Sequence, residues 1–188
     1  MFACDWNASR TKRHGNGQLQ LQVMASEKSV DCAEVRTRRR FHYGYFETRL
    51  RAERSPGIIT GFFTYTGSSN GTQWDEIDIE ILGDRTINGR PVAQFNYYKA
   101  GSGGHEFVYP LPFDPTADFH RYGFNWQSDY VAFFVDGIEV HRSYEIVPDT
   151  PSFLFFNNWR YEGKGNWAGN SWNYKPTSTW IDWVRYES

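Results

Sequence analysis

Strict alternation of polar and apolar residues constrains this chain most. Gln18-Leu19-Gln20-Leu21-Gln22-Val23 switches at every position, and such a run sorts its side chains onto two faces only when the backbone is extended. The same rhythm recurs in short runs bounded by Gly, Pro, Asn or Asp. It predicts strands over Tyr43 to Leu50, Gly61 to Tyr65, Trp74 to Leu82, Val92 to Tyr98, Tyr122 to Trp126 and Phe153 to Asn157. Tyr130 to Val135 and Ile138 to Tyr144 flank Asp136-Gly137, a dipeptide that tolerates the positive φ of a tight hairpin. No apolar pattern with a 3.6-residue period is sustained and no internal repeat occurs, which excludes helical bundles and propellers. An antiparallel all-β sandwich of two sheets, or a barrel, is expected.

With 188 residues the chain fits one domain, 1–188, able to bury its own core. The formal net charge is -2, and lysines and arginines read as scattered, so neither nucleic acid nor membrane is an expected partner; a monomer is expected. No apolar stretch approaches the roughly 20 residues of a membrane span. The opening MFACDWNASR carries no signal-peptide pattern, and a signal and an N-terminal strand are expected to precede the given residues. Aromatics make up 19% of the chain, with 8 Trp, 12 Tyr and 15 Phe. That reads as more than a core of this size needs, and points to a surface that stacks sugar rings. The alternative is a sandwich rich in aromatic cross-strand pairs. The segment Tyr161 to Pro176 is rich in Gly, Asn and aromatics without periodicity, and is expected to be a long, functional surface loop.

Residues 71 to 83, GTQWDEIDIEILG, place Glu76, Asp78 and Glu80 on one face of a predicted strand and Ile77, Ile79 and Ile81 on the other. Like charges at neighbouring same-face positions repel, and acids are poor strand formers, so stability alone does not account for the row. Retaining glycoside hydrolysis takes two carboxyl groups about 5 Å apart, one as nucleophile and one as acid/base. Cα atoms four positions apart on a strand are separated by roughly 13 Å, and side chains leaning together close most of that gap. With Asp78 between them, the three cannot all ionise cheaply, so one keeps a proton near neutral pH, as a general acid must. Three acids on one face also suit a hard cation, but no further oxygen ligands stand nearby in sequence. G-x-S-x-G, H-E-x-x-H and the phosphate-binding P-loop are all absent, and Gly163-Lys164-Gly165 does not make one. Cys4 and Cys32 belong to no metal or redox motif. They either pair, closing a loop of about 28 residues for roughly 3 kcal/mol in an oxidising compartment, or remain buried thiols.

GTQWDEIDIEILG, GIITGFFTYTG, VDCAEVRT, AQFNYY and the closing IDWVRYE together resemble glycoside hydrolase family 16, in particular its bacterial endo-β-1,3-1,4-glucanases, the lichenases. The likeness runs from about Phe2 to Tyr186. It implies a jelly-roll β-sandwich of the concanavalin A-like kind, with a concave sheet forming an open cleft for a linear β-glucan. Position by position, it implies Glu76 as nucleophile, Glu80 as acid/base and Asp78 as the assisting carboxylate. It implies aromatic cleft residues at Phe63, Tyr65, Trp74 and Trp159, and sugar-binding polar residues at Glu34, Arg36, Gln94, Asn96 and Tyr98. It implies a Cys4–Cys32 disulfide and secretion. No cofactor is implied for catalysis. A structural calcium is possible at Gly17 and Asp182, with the family's third ligand on the missing N-terminal strand. The E-x-D-x-E spacing is the unbulged type within the family. Two other activities remain open at this level: depolymerisation of a succinoglycan-type exopolysaccharide, and non-catalytic carbohydrate binding by a lectin-like sandwich.

Overall fold

The computed structural model describes residues 2–25, 29–163, 165–170 and 172–188. Met1, Ser26, Glu27, Lys28, Lys164 and Ser171, the last two within the aromatic loop, lie outside the described residues. In chain order the strands are β1 (Asp5–Trp6), β2 (Thr11–Arg13), β3 (Leu19–Ala25), β4 (Val30–Phe41), β5 (Gly44–Arg51), β6 (Ile58–Thr66), β7 (Asp75–Ile87), β8 (Arg90–Tyr98), β9 (Phe107–Pro110), β10 (His120–Trp126), β11 (Val131–Val135), β12 (Ile138–Ser143), β13 (Ser152–Arg160) and β14 (Thr177–Glu187). No helix among the described residues is long and apolar enough to cross a membrane.

Hydrogen bonds connect the strands in the order β12-β11-β10-β5-β14-β3-β4-β13-β6-β7-β8-β9. Among the described residues β3 and β4 pair at Met24–Asp31 and Ala25–Val30 alone, at the ends nearest each other in sequence. The path folds over there into two layers of six strands, the jelly-roll sandwich expected from the sequence. β2 extends the first layer beside β3, and β1 runs parallel to β4 in the second.

Alternation decides what lies between the layers. Ile77, Ile79 and Ile81 of β7 are buried on the inner face, opposite in direction to the acids of the same strand. Phe62 of β6 meets Phe124 of β10 across the gap, with ring centroids 5.5 Å apart, and stacks on Phe156 at 4.9 Å. Each such side chain contributes about 1.5–3 kcal/mol on leaving water. Phe46, Phe95, Phe133, Tyr97, Tyr122 and Trp126 are also fully buried. Part of the aromatic content is therefore core, as the alternative reading of the composition has it, and the remainder is left for the surface.

The Asp136-Gly137 hairpin forms as expected, with φ of 50° and 81° at its two central residues, the sign a two-residue type I′ turn requires. The loop from Tyr161 to Pro176 is mostly exposed, as expected, but two of its residues anchor it. Its Ala168 and Trp172 are buried in one cluster with Ile59, Leu82, Val92 and Trp159, so it packs down onto the sheet that carries the acids.

Candidate active site

The register of four strand pairs turns scattered sequence positions into three rows across one sheet face. Glu34 of β4 lies opposite Asn157 of β13, then Gly61 of β6, Glu80 of β7 and Gln94 of β8. The next row runs Arg36, Phe155, Phe63, Asp78, Asn96, and the third Arg40, Phe153, Tyr65, Glu76, Tyr98. Directly opposed residues share a face, so all of these project from the outer, concave side. The pairing through Glu76, Asp78 and Glu80 is continuous on both flanks of β7, and its first irregularity comes only between Ile81 and Thr86. The motif is unbulged, as the spacing implied.

Gly61 is the small member of the first row. A Cβ there would overlap Asn157 Oδ1, so the missing side chain lets Asn157 lie across β6 and hydrogen-bond to Glu34.

The three acids do not titrate alike. Burial raises Glu80, the negative charge of Glu76 adds to this, and its carboxyl is pushed up to about 8. Asp78 is raised well above the usual range by burial, by the charges of Glu76 and Glu80, and by its hydrogen bond to Glu76. Burial raises Glu76 too, but the indole N–H of Trp74 and the side chain of Asp78 hydrogen-bond to it and counter that rise. The arrangement favours a protonated Asp78 donating to an ionised Glu76, with Glu80 protonated across neutral pH. Tyr98 is pushed up to about 12 by burial and by the surrounding carboxylates, Asp78 first among them, and remains a neutral donor.

Asp75 has a different task from its neighbours. It faces the interior, fully buried, and accepts backbone N–H groups from Ala100, Asp149 and Thr150 at 2.9, 2.9 and 3.0 Å. Burial opposes its ionisation, yet these donors outweigh that and hold its carboxyl below the usual range. It fastens the turn after β8 and the segment before β13 to the start of β7, where Trp74 leaves for the cleft. The turn is further held by Gly101 N–H donating to Trp74 O at 2.8 Å.

Two connected hollows flank this centre. One is lined by Glu34, Arg36, Phe63, Tyr65, Trp74, Glu76 and Phe155, the other by Trp74, the three acids, Gln94, Asn96, Tyr98 and Trp159. Every proposed sugar-contacting residue thus lies in the cleft. Trp74 stacks on Tyr98 with centroids 4.8 Å apart, and both shared walls meet at Glu76. Sequence reasoning missed further lining residues: Phe2, Trp6, Asn70, Glu106, Tyr161 and Trp167. Trp167, from the packed-down loop, donates its indole N–H to Gln94 Oε1 at 2.8 Å. Phe2 and Trp6 arrive through the Cys4–Cys32 disulfide, whose Cα atoms are 5.8 Å apart. Cys32 stands two residues before Glu34 on β4, so aromatics on either side of Cys4 were the available signal.

Gly17 and Asp182 come together beside one hollow at the edge of the sandwich. Asp182 is already ion-paired with Arg49 at 2.6 Å, and two oxygen donors fall short of the six to eight that calcium takes. Among the described residues no group of three His, Cys, Asp or Glu is placed to hold a metal. These residues do not fit a calcium site by themselves.

The family model "Glycosyl hydrolases family 16" matches residues 1–185. A beta-glucanase of Paenibacillus polymyxa is 40% identical over 189 residues, spanning 100% of this chain and 78% of that protein. A beta-glucanase of Bacillus subtilis (strain 168) is 37% identical, spanning 99% and 76%. Among solved structures, a Bacillus licheniformis beta-glucanase superposes with a TM-score of 0.94 at 36% identity, covering 100% of this chain and 86% of that one. A beta-1,3-1,4-glucanase (lichenase) derived from a mouse hindgut metagenome gives 0.91 at 42% identity, covering 99% and 86%.

Proposed function

The chain belongs to glycosyl hydrolase family 16, and from that membership we propose that it is a retaining endo-glycosidase cleaving β-1,4 bonds in mixed-linkage β-1,3-1,4-glucan by double displacement. One observation carries the reading: Glu76 and Glu80 share a face of β7 within a single cleft, with Asp78 between them. Their environments separate their roles, one ionised and one protonated.

In the first step Glu76 attacks the anomeric carbon, the bond to the departing sugar's oxygen breaks, and that oxygen takes the proton of Glu80. In the second, Glu80 removes a proton from water as the water oxygen attacks the same carbon and releases Glu76. Asp78 donates to Glu76 while it is charged, and keeps the leaving carboxylate oriented. No cofactor enters either step. The disulfide is consistent with an extracytoplasmic protein, and secretion is part of the same proposal, because a polymeric substrate must be met outside the cell.

The test is reducing-sugar release from mixed-linkage β-glucan, with laminarin and carboxymethylcellulose run beside it. Rapid release of short oligosaccharides from the first is expected, and its loss by several orders of magnitude in folded Glu76→Gln. No release by the parent protein, or turnover in the variant within tenfold of the parent, would sink the reading.

A further inference from the structure

Arg36-Thr37-Arg38-Arg39-Arg40 is a concentration of positive charge that a reading of the basic residues as scattered overlooks. It occupies the second half of β4, and all four arginines are exposed. Arg10, Arg49, Arg121, Arg142, Arg160 and Arg185 each lie against a carboxylate. These four form no ion pair among the described residues.

The register gives the stretch a direction. Arg36 and Arg40 lie opposite Phe155 and Phe153. Both guanidinium groups sit over the Phe153 ring, 4.6 and 5.1 Å from its centroid. Phe153 shares the concave face with Phe155 and Asn157, so these cations stand on the cleft side. Two residues of β13 span four of β4 here, through a register shift between Phe153 and Phe155, and this crowds the arginines together. Arg40 also reaches Asn70 O at 3.0 Å, at the cleft rim. That contact uses one of five guanidinium N–H groups and leaves the others for a ligand.

We propose that this end of the cleft is a subsite for carboxylate groups on the polysaccharide, and that the protein prefers acidic β-glucans to neutral ones. This rests on the endo-glucanase reading above and adds a substrate class to it. Guanidinium forks match carboxylates in pairs, and a ring beneath them limits their freedom before binding. Arg40 shares a row with Glu76 but lies three strand spacings away, about 14 Å. A substrate carboxylate there is beyond a Debye length, about 8 Å at physiological salt, from the acidic centre. The central acids reject negative charge at the scissile bond while the β4 end attracts it further along the chain. The acidic group is therefore read several sugars away from the bond that breaks.

The experiment compares unmodified mixed-linkage β-glucan with a lightly carboxymethylated preparation of the same length. At low ionic strength the parent should show a KM lower for the carboxymethylated polymer by about three- to tenfold, from a few exposed charge pairs, and salt should remove the difference. Arg40→Gln should abolish the preference, bringing KM for the two polymers together, whereas Arg40→Lys retains it. Electrophoresis of folded Glu76→Gln, with and without Arg40→Gln, through gels containing each polymer reads the same preference without turnover, so failure of hydrolysis and failure of the subsite are separable. Equal KM and equal retardation on the two polymers, or a preference that survives Arg40→Gln, would overturn the proposal.

Discussion

Replacing Glu80 by glutamine should make the protein more stable, and increasingly so as pH rises. The folded-state carboxyl titrates at about 8 against an ordinary value of 4.5. Its stabilising contribution is thus fully present below the unfolded value and is lost as pH rises through the folded one. The gap corresponds to an upper limit of about 4–5 kcal/mol at 1.36 kcal/mol per unit. Glu80 opens onto the cleft and is only partly covered, so water screens some of this, and about 2–4 kcal/mol is the working expectation. Glutamine keeps the shape and never ionises. Urea unfolding of parent and Glu80→Gln at about pH 5 and about pH 9 should show the variant's advantage growing by that amount. The same ionisation should end the parent's activity on the alkaline side, with kcat/KM falling as Glu80 loses its proton at about 8. A stability difference between the two proteins that stays constant over this range would refute the assignment of the raised group to Glu80.

Glu80→Ala should lose most activity on glucan but recover with azide on a substrate carrying a good leaving group, giving a β-glycosyl azide; an α-product would reverse the roles of the two glutamates. Reducing Cys4–Cys32, which closes a separation of 28 residues, should cost about 3 kcal/mol and lower the thermal midpoint by about 6–12 °C. It should also raise KM for long glucans, because Phe2 and Trp6 lose their tether; calorimetry and kinetics with and without reductant check both. Gly61→Ala should displace Asn157 from Glu34 and lower kcat/KM at least tenfold, with about 1–3 kcal/mol of destabilisation from overpacking; an unchanged rate would mean that this row does not position substrate. Calcium or its chelation should shift the melting midpoint by no more than a degree or so, and a large calcium-dependent rise would show that other oxygens complete the Asp182 site.

The acid row was legible because a period of two assigns faces without any tertiary knowledge: Glu76, Asp78 and Glu80 had to oppose Ile77, Ile79 and Ile81. The same rule could not foresee the work of Asp75, whose partners come from segments 25 and 74 residues away. β4 was not predicted as a strand because its second half, VRTRRRF, replaces alternation with charge, and the irregular pairing there has no local signature. β14 was also not predicted. Trp and Phe carry no label for core or cleft, so Trp126 and Trp74 read alike in sequence although one is buried and the other 41% exposed. The loop from Tyr161 to Pro176 looked solvated because it lacks periodicity, yet irregular backbone can still bury individual side chains such as Trp172.

The rows of the concave face also set a timetable for folding. β6, β7 and β8 are consecutive and pair with their neighbours in sequence, so the acids can be aligned by local chain closure alone. β4 pairs with β13, and β3 with β14, contacts that unite opposite ends of the polypeptide and close slowly because large loops must first be ordered. A nascent or refolding chain can therefore display Glu76, Asp78 and Glu80 in register while the walls of the cleft are still missing. Recovery of hydrolysis should lag behind recovery of β-structure, and the interval between them times the docking of β13 between β4 and β6.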